Sequence, residues 1–228
     1  MVLDRGSVAS GQCGPDGSDR IVAELDTTGQ GWITMFIDTP PDDGATGTTA
    51  EMYGADRARL GYVANYTRAF AHRPAAYEAW MQLNGAIKGS MDERRYELVT
   101  LAAARRLRSS YCMLAHGKVL ADRFLAPEVV RDIAQGGTTE LDAVDAAAMD
   151  LAAKIVDDAT SVTHEDVDEL RRLGLSDSDV LDVVLAAAAR CFFSTVLDAL
   201  GVQADPAFSG LDPDLREALT IGRPIAAE

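Results

Sequence analysis

Aromatic residues, cysteines and histidines are scarce in this chain of 228 residues. Aromatic side chains make up 6% of the sequence, and there are three histidines and three cysteines, Cys13, Cys112 and Cys191. Cysteines this far apart do not indicate a disulfide framework. The first residues lack the apolar segment of a secretory signal. These absences together predict a protein of the reducing cytoplasm.

Positive charge and long apolar runs are also lacking. The chain has 36 acidic residues against 21 basic ones, and its formal net charge is −15 at pH 7. Because nucleic-acid binding requires a basic surface, we expect no nucleic-acid partner. No charge-free apolar run of about 18 residues indicates a membrane span, so we expect no membrane partner.

The sequence is rich instead in alanine and in helical periodicity. Hydrophobic residues make up 47% of the chain. Alanine has the highest helix propensity, so this composition predicts an all-α fold of packed helices. We predict a flexible leader over 1–34, an all-α domain over 35–204 and a C-terminal tail over 205–228. Helices are predicted over 48–60, 65–72, 127–136, 138–158, 163–174 and 177–200, and others begin at Pro74 and after the N-cap Asp92.

The stretch 97–116 contains the residues best suited to chemistry. It reads as the end of one helix, a polar break, and the start of a second helix with Ser109 as a candidate N-cap. Cys112 then stands in the first turn, where the helix dipole favours a reactive thiolate. His116 lies on the same face and could take the thiol proton. Glu97, pointing inward from the preceding helix, would orient His116 and complete a relay.

The order Glu97, Ser109, Tyr111, Cys112 and His116 resembles the alkylhydroperoxidase D-like, carboxymuconolactone decarboxylase family. The family's peroxidase motif is Glu, eleven residues, Cys, two residues, Cys, three residues and His. This chain matches the glutamate, the second cysteine and the final histidine. The segments GYVANYTRAFAHRP and AWMQLNGAIK also look like the peroxidase-related branch of that family.

This resemblance implies an alkylhydroperoxidase D-like helical bundle that forms a homo-oligomer, commonly a trimer or hexamer. It implies an antioxidant peroxidase with Cys112, His116 and Glu97 as catalytic residues and with neither a metal ion nor an organic cofactor. Its substrate would be a small-molecule peroxide. Tyr111 and Ser109 would form hydrogen bonds near the sulfur.

Ser109 departs from the family pattern, because it stands where the first cysteine of the motif would be. An internal disulfide between positions 109 and 112 therefore cannot form. A peroxidase of this sequence would be a one-cysteine type, and an external thiol would have to reduce its sulfenic acid.

A second predicted helical hairpin resembles the one around 97–116 in sequence. LAAARR at 101–106 is followed 84 residues later by LAAAAR at 185–190. Leu181, Val196 and Leu200 stand there in place of the glutamate, cysteine and histidine. We therefore expect the second hairpin to be scaffold only, with Cys191 a buried, inert thiol.

Other interpretations of the central residues stay open. The chain could be a catalytically silent scaffold or an oligomeric binding protein of the same fold. It could be a lactone decarboxylase, although no matching residues are seen for that activity. Cys112, His116 and Glu97 are also possible zinc ligands. A Cys–His nucleophile for acyl transfer would need an oxyanion hole, which a sequence does not show.

Overall fold

The computed structural model describes residues 35–227, so the predicted leader lies outside the described residues. Within that part the chain forms ten α-helices, two short 3-10 helices and no strand beyond one bridge between Ala204 and Ile225. The predicted all-α fold class is confirmed. The helices are α1 (Gly47–Leu60), α2 (Asn65–Phe70), α3 (Pro74–Ser90), α4 (Glu93–Arg106), α5 (Ser110–Arg123), α6 (Pro127–Gln135), α7 (Ala143–Asp158), α8 (His164–Arg172), α9 (Asp177–Ala199) and α10 (Pro213–Leu219).

Helix α4 is the centre of the fold. It follows Asp92, whose side chain accepts a hydrogen bond of 2.9 Å from the backbone N–H of Arg95, as predicted for an N-cap. Every residue over 96–104 is buried. A helix buried all round must be covered on every side. Helices α5, α7 and α9 provide that cover.

A tight turn joins α4 to α5. Arg108 has a φ of 56°, in the left-handed region that residues other than glycine seldom adopt. The backbone N–H of Ser109 donates to the carbonyl oxygen of Ala104 over 3.0 Å and closes the turn. The chain reverses here, so α5 runs back along α4. The predicted helical hairpin is therefore present.

The predicted helix over 138–158 begins later than expected, at Ala143. The cause is Asp142, whose carboxylate accepts a hydrogen bond of 2.9 Å from the backbone N–H of Asp145 and so acts as the N-cap. The Asp145 side chain is buried and forms a 2.8 Å ion pair with Arg95 of α4. This pair fixes the start of α7 against the central helix.

Helix α9 begins at the predicted capping box of Ser176 and Asp179. Within the described part of the chain it is the one helix whose length and composition would allow it to cross a membrane. Its packing is that of a core helix, because it contacts α3, α4 and α7 and contains a buried charged residue, Arg190. Together with α4, helix α9 carries residues of the candidate site that is described in the next section.

Residues 205–227, predicted as a tail, pack onto the helical body. Helix α10 contacts α5 and α6, and its Leu215 and Leu219 are buried. The close approach to α5 depends on a missing side chain at Gly117. A Cβ atom at Gly117 would lie 2.5 Å from Cδ2 of Leu219, too close for two carbon atoms.

Replacing Leu219 with alanine should lower the free energy of unfolding by about 2–5 kcal/mol, the usual cost of deleting a buried leucine side chain. Leu219 is 0% exposed, so the cavity would have no solvent to fill it. Urea denaturation followed by circular dichroism would measure the change. Glu217→Ala, an exposed change on the same helix, should stay within about 0.5 kcal/mol of wild type. Equal stability of the two variants would mean that α10 does not unfold with the body.

Candidate active site

Glu97 and His116 form a hydrogen-bonded pair inside the α4–α5 hairpin. The distance between Glu97 Oε2 and His116 Nδ1 is 2.5 Å. Glu97 is 1% exposed, and the side chain of His116 is 13% exposed. A carboxylate can only accept, so Nδ1 donates and Nε2 of a neutral imidazole is left able to accept a proton. This is the contact that the sequence predicted between the two side chains.

The pKa values of both side chains are lowered, which favours an ionised Glu97 beside a neutral His116. Burial raises the pKa of Glu97. The hydrogen bonds from His116 and Lys88, the positive charge of Lys88 and that of His116 when it is protonated at low pH outweigh burial and bring the pKa to about 2. Burial lowers the pKa of His116, and the positive charge of Arg190 lowers it further, against the opposing effect of Glu97. At pH 7 the pair is an ionised Glu97 and a neutral His116, which is the form that a general base requires.

Glu97 has a second partner in Lys88, near the end of α3. Lys88 Nζ lies 2.8 Å from Glu97 Oε1 and 3.4 Å from a carboxylate oxygen of Glu93. It also lies 5.3 Å from the ring centroid of Tyr96. The Lys88 side chain is 37% exposed, so it links the buried carboxylate to the surface. Helices α3, α4 and α5 therefore meet at Glu97.

Cys112 lies in the first turn of α5 and is 1% exposed. Ser194 Oγ donates to the Cys112 sulfur over 3.1 Å, and Arg190 Nη1 donates over 3.5 Å. Among the described residues His116 is not a hydrogen-bond partner of the sulfur. The sequence predicted His116 as the direct partner of the thiol, but the observed contacts both come from α9. A cation and a hydroxyl donor therefore both face the sulfur.

Arg190 is a buried cation. It is 4% exposed and forms no ion pair with any carboxylate of residues 35–227. Burial lowers the pKa of Arg190, but the neighbouring Cys112 and Tyr96 outweigh burial and raise it above its usual value. The guanidinium carbon lies 5.6 Å from the ring centroid of Phe193. Among residues 35–227, the Cys112 sulfur is thus the group that comes closest to serving as a counter-ion for Arg190.

The expectation that the second hairpin is scaffold only was wrong, because α9 supplies both hydrogen-bond partners of Cys112. The sequence contained one signal of this: Arg190 is a lone arginine in an apolar run, and arginine is almost never fully buried without a partner. No comparable feature of the sequence indicated a role for Ser194. Cys191 is partly buried rather than buried, and burial raises the pKa of its thiol.

Tyr111 and Ser109 do not form the hydrogen bonds predicted near the sulfur. The Tyr111 hydroxyl donates to the buried carboxylate of Asp205, which also accepts from the backbone N–H of Asn65 over 2.8 Å. Ser109 Oγ is buried, has no hydrogen-bond partner in the part of the chain that the structure describes, and does not cap α5. The prediction failed because Asp205 follows α9, far away in sequence.

The geometry gives no support to the zinc alternative. Between residues 35 and 227, no three His, Cys, Asp or Glu side chains converge as metal ligands would. Glu97 and His116 bind each other, and the Cys112 sulfur faces α9 instead of that pair.

The hairpin that contains these residues can be compared with known proteins. Residues 74–154 match the carboxymuconolactone decarboxylase family. The resemblance predicted from the sequence is confirmed over this segment, which includes Glu97, Cys112 and His116. Arg190 and Ser194 lie outside the segment that matches the carboxymuconolactone decarboxylase family. No curated protein matches the chain.

Several solved structures share the fold. An uncharacterised peroxidase-related protein from Ralstonia eutropha, described as an alkylhydroperoxidase AhpD core, has a TM-score of 0.70 and 20% identity over 77% of this chain and 95% of its own. A peroxidase-related protein from a Silicibacter species has a TM-score of 0.71 and 19% identity over 78% and 95%. The debrominase Bmp8 has a TM-score of 0.62 and 14% identity over 79% and 95%. Identities this low establish the alkylhydroperoxidase D-like fold alone.

Proposed function

We propose that the protein reduces hydroperoxides with Cys112 as its one reacting cysteine and an external thiol as reductant. The environment of the sulfur is the observation that carries this proposal. Arg190, a buried cation with no carboxylate partner among residues 35–227, and Ser194, a hydroxyl donor, both face Cys112. Reactive cysteines lie in electropositive surroundings of this kind. In a catalytically silent scaffold, the desolvation penalty of this buried charge would serve no function.

The first step is attack of the Cys112 thiolate on a peroxide oxygen. A bond forms between sulfur and that oxygen, the O–O bond breaks, and the second oxygen leaves as an alkoxide or hydroxide. His116 accepts the thiol proton at Nε2 and returns it to the leaving oxygen, while Glu97 stabilises the transient imidazolium. His116 stands one helical turn from Cys112, so a substrate oxygen or a water would bridge the gap.

The second step returns the sulfenic acid to a thiol. An external thiol attacks the Cys112 sulfur, which forms a mixed disulfide and releases water. A second external thiol then attacks the mixed disulfide and frees Cys112. The resolving cysteine of the two-cysteine motif is replaced by Ser109, so both electrons must come from outside the hairpin.

The test compares hydroperoxide consumption by wild type and Cys112→Ser with glutathione or dithiothreitol as reductant. Wild type should consume hydrogen peroxide and tert-butyl hydroperoxide, and the variant should fall to background. Cys191→Ser is the matched control and should keep its rate, because burial raises the pKa of that thiol. A wild type no faster than Cys112→Ser with every peroxide and thiol would contradict the proposal and favour the silent scaffold.

A second candidate is thiol-dependent dehalogenation of an aromatic substrate. One structural relative is a debrominase, which has also been solved in complex with 2,3,4-tribromopyrrole. A groove of about 560 Å³ runs between α3 and α9 with an apolar, partly aromatic lining. Its Trp80 stacks on Phe193 at 5.0 Å, and Phe193 lies beside Arg190. Halide release from a brominated pyrrole by wild type, but not by Cys112→Ser, without hydroperoxide consumption would favour this candidate.

A further inference from the structure

Three arginines line one cleft at the end of the central helix α4. The cleft has a volume of about 510 Å³, and its walls are formed by Arg105, Arg106, Arg108, Ala134 and Ile221. Small-molecule sites usually measure about 300–1,000 Å³, so the cleft has the size of a ligand site. The chain as a whole has a net charge of −15. Three guanidinium groups around one cleft therefore form a local region of the opposite sign.

Two of these arginines keep most of their hydrogen-bonding capacity. Among residues 35–227, Arg105 and Arg108 form no ion pair with a carboxylate, and each donates to one backbone carbonyl oxygen over 3.2 Å. A guanidinium has five N–H donors, so both side chains have donors left for another acceptor. Arg106 is different, because its Nε donates to Asp157 over 2.8 Å. The three arginines thus bring more positive charge to the cleft than the one paired carboxylate neutralises.

The backbone around the cleft gives a second, independent indication of a ligand site. Arg105 and Arg106 stand in the last turn of α4, where basic side chains also stabilise the helix dipole. Arg108 lies beyond that turn, and its φ of 56° is one that glycine would adopt without strain. Strained positions of this kind cluster at active sites and ligand clamps. A Cβ atom on Gly136 would lie 2.5 Å from Nη2 of Arg105, so the missing side chain there makes room for the guanidinium.

We propose that this cleft binds a small organic phosphate. A guanidinium matches a phosphate group because its N–H donors reach two oxygens side by side. The apolar side chains of Ala134 and Ile221 would contact the organic part of the ligand. The net charge of −15 repels a nucleic acid or an anionic membrane, which favours a small ligand. The site is independent of the proposed peroxidase, because none of its lining residues is among the described hydrogen-bond partners of Cys112, Glu97 or His116.

Isothermal titration calorimetry with adenosine diphosphate, inorganic pyrophosphate and adenosine tests the proposal, at an ionic strength of about 0.15 M and without divalent cations. Adenosine diphosphate should bind in a saturable way. Pyrophosphate should bind more weakly, because it has no organic part to contact the apolar wall, and adenosine should not bind. No saturable binding of either phosphate would overturn the proposal. Adenosine that binds as tightly as adenosine diphosphate would also overturn it, because the phosphates would then contribute nothing.

Two variants place the binding in the cleft. Arg108→Gly removes a guanidinium and relieves the strained φ, so it should melt no lower than wild type in circular dichroism and yet bind adenosine diphosphate about tenfold or more weakly. Arg105→Gln should weaken binding to a similar extent. Arg131→Gln is the matched control, because it makes the same change in net charge on α6 at an arginine that is paired with Asp214 over 3.0 Å and lies outside the cleft. Its affinity should stay within about twofold of wild type. Unchanged binding in both cleft variants, or equal weakening in Arg131→Gln, would contradict the proposed site.

Discussion

Replacing Glu97 with glutamine is expected to slow the reaction of Cys112 with peroxide by about 10-fold to 100-fold, because a general base contributes about 10²–10⁴ and this change weakens the base without removing it. Glutamine keeps the shape of the side chain, but it loses the charge that opposes the fall in the pKa of His116. His116 would then hold the transferred proton less well. Stopped-flow measurement of sulfenic acid formation would give the rate.

Glu93→Gln is the matched control for this prediction. Glu93 lies one turn earlier on α4 and also contacts Lys88, at 3.4 Å, but its side chain is 37% exposed. It makes no contact with His116, so its removal should change the peroxide rate less than about threefold. Equal rates in wild type and Glu97→Gln would show that the carboxylate does not assist His116.

The same variant should alter the acid stability of the fold. The pKa of Glu97 is about 2 in the folded protein, below the ordinary value of 4.5 expected in an unfolded chain. A lowered pKa of a carboxyl group means that the resulting stabilisation is complete above pH 4.5 and is lost as the pH falls towards 2. Wild type should therefore be more stable than Glu97→Gln at pH 6, and their unfolding free energies should converge at low pH.

Replacing Ser109 with cysteine is expected to change the product of oxidation from a sulfenic acid to an internal disulfide. Positions three apart at a helix N-terminus are neighbours, and a disulfide needs Cα atoms about 4.4–6.8 Å apart. The Ser109 hydroxyl is buried and has no hydrogen-bond partner within 35–227, so its loss should cost little stability. After one equivalent of peroxide, the variant should be about 2 Da lighter than its reduced form, because the new thiol condenses with the sulfenic acid and releases water.

Ser110→Cys is the control for the engineered disulfide. Ser110 Oγ accepts a hydrogen bond of 2.7 Å from the backbone N–H of Gly222, and position 110 does not share a helix face with Cys112. This variant should keep the mass change of a sulfenic acid, about 16 Da above the reduced form. If Ser109→Cys also retains the added oxygen and forms no disulfide, the first turn of α5 does not allow the two sulfurs to meet.

The candidate site is divided between a part that is local in sequence and a part that is not. Glu97 and His116 lie on the two arms of one hairpin, so helical rise and the turn at Arg108 bring them together. Their pairing could be predicted from spacing alone. Arg190 and Ser194 reach Cys112 from α9, which follows it by 78 and 82 residues. No periodicity over that distance predicts which face of α9 meets α5.

The sequence by itself determined the helices and several of their ends. Alanine-rich periodic segments predicted an all-α fold, and short polar side chains marked the starts of α4 and α9. Caps can be predicted because an Asp or Ser oxygen satisfies backbone N–H groups only two or three residues away. The start of α7 was predicted at residue 138, from periodicity and not from a cap, and the helix begins at Ala143 because Asp142 caps it.

Only the tertiary structure decided what surrounds the Cys112 sulfur and where the last segment lies. Tyr111 turned out to bind Asp205, and α10 packs on α5 through the gap at Gly117. These contacts join segments distant in sequence, and their free energy depends on burial, which exists only after the helices have packed. A cation such as Arg190 looks like an interruption in an apolar helix until the fold places a sulfur opposite it.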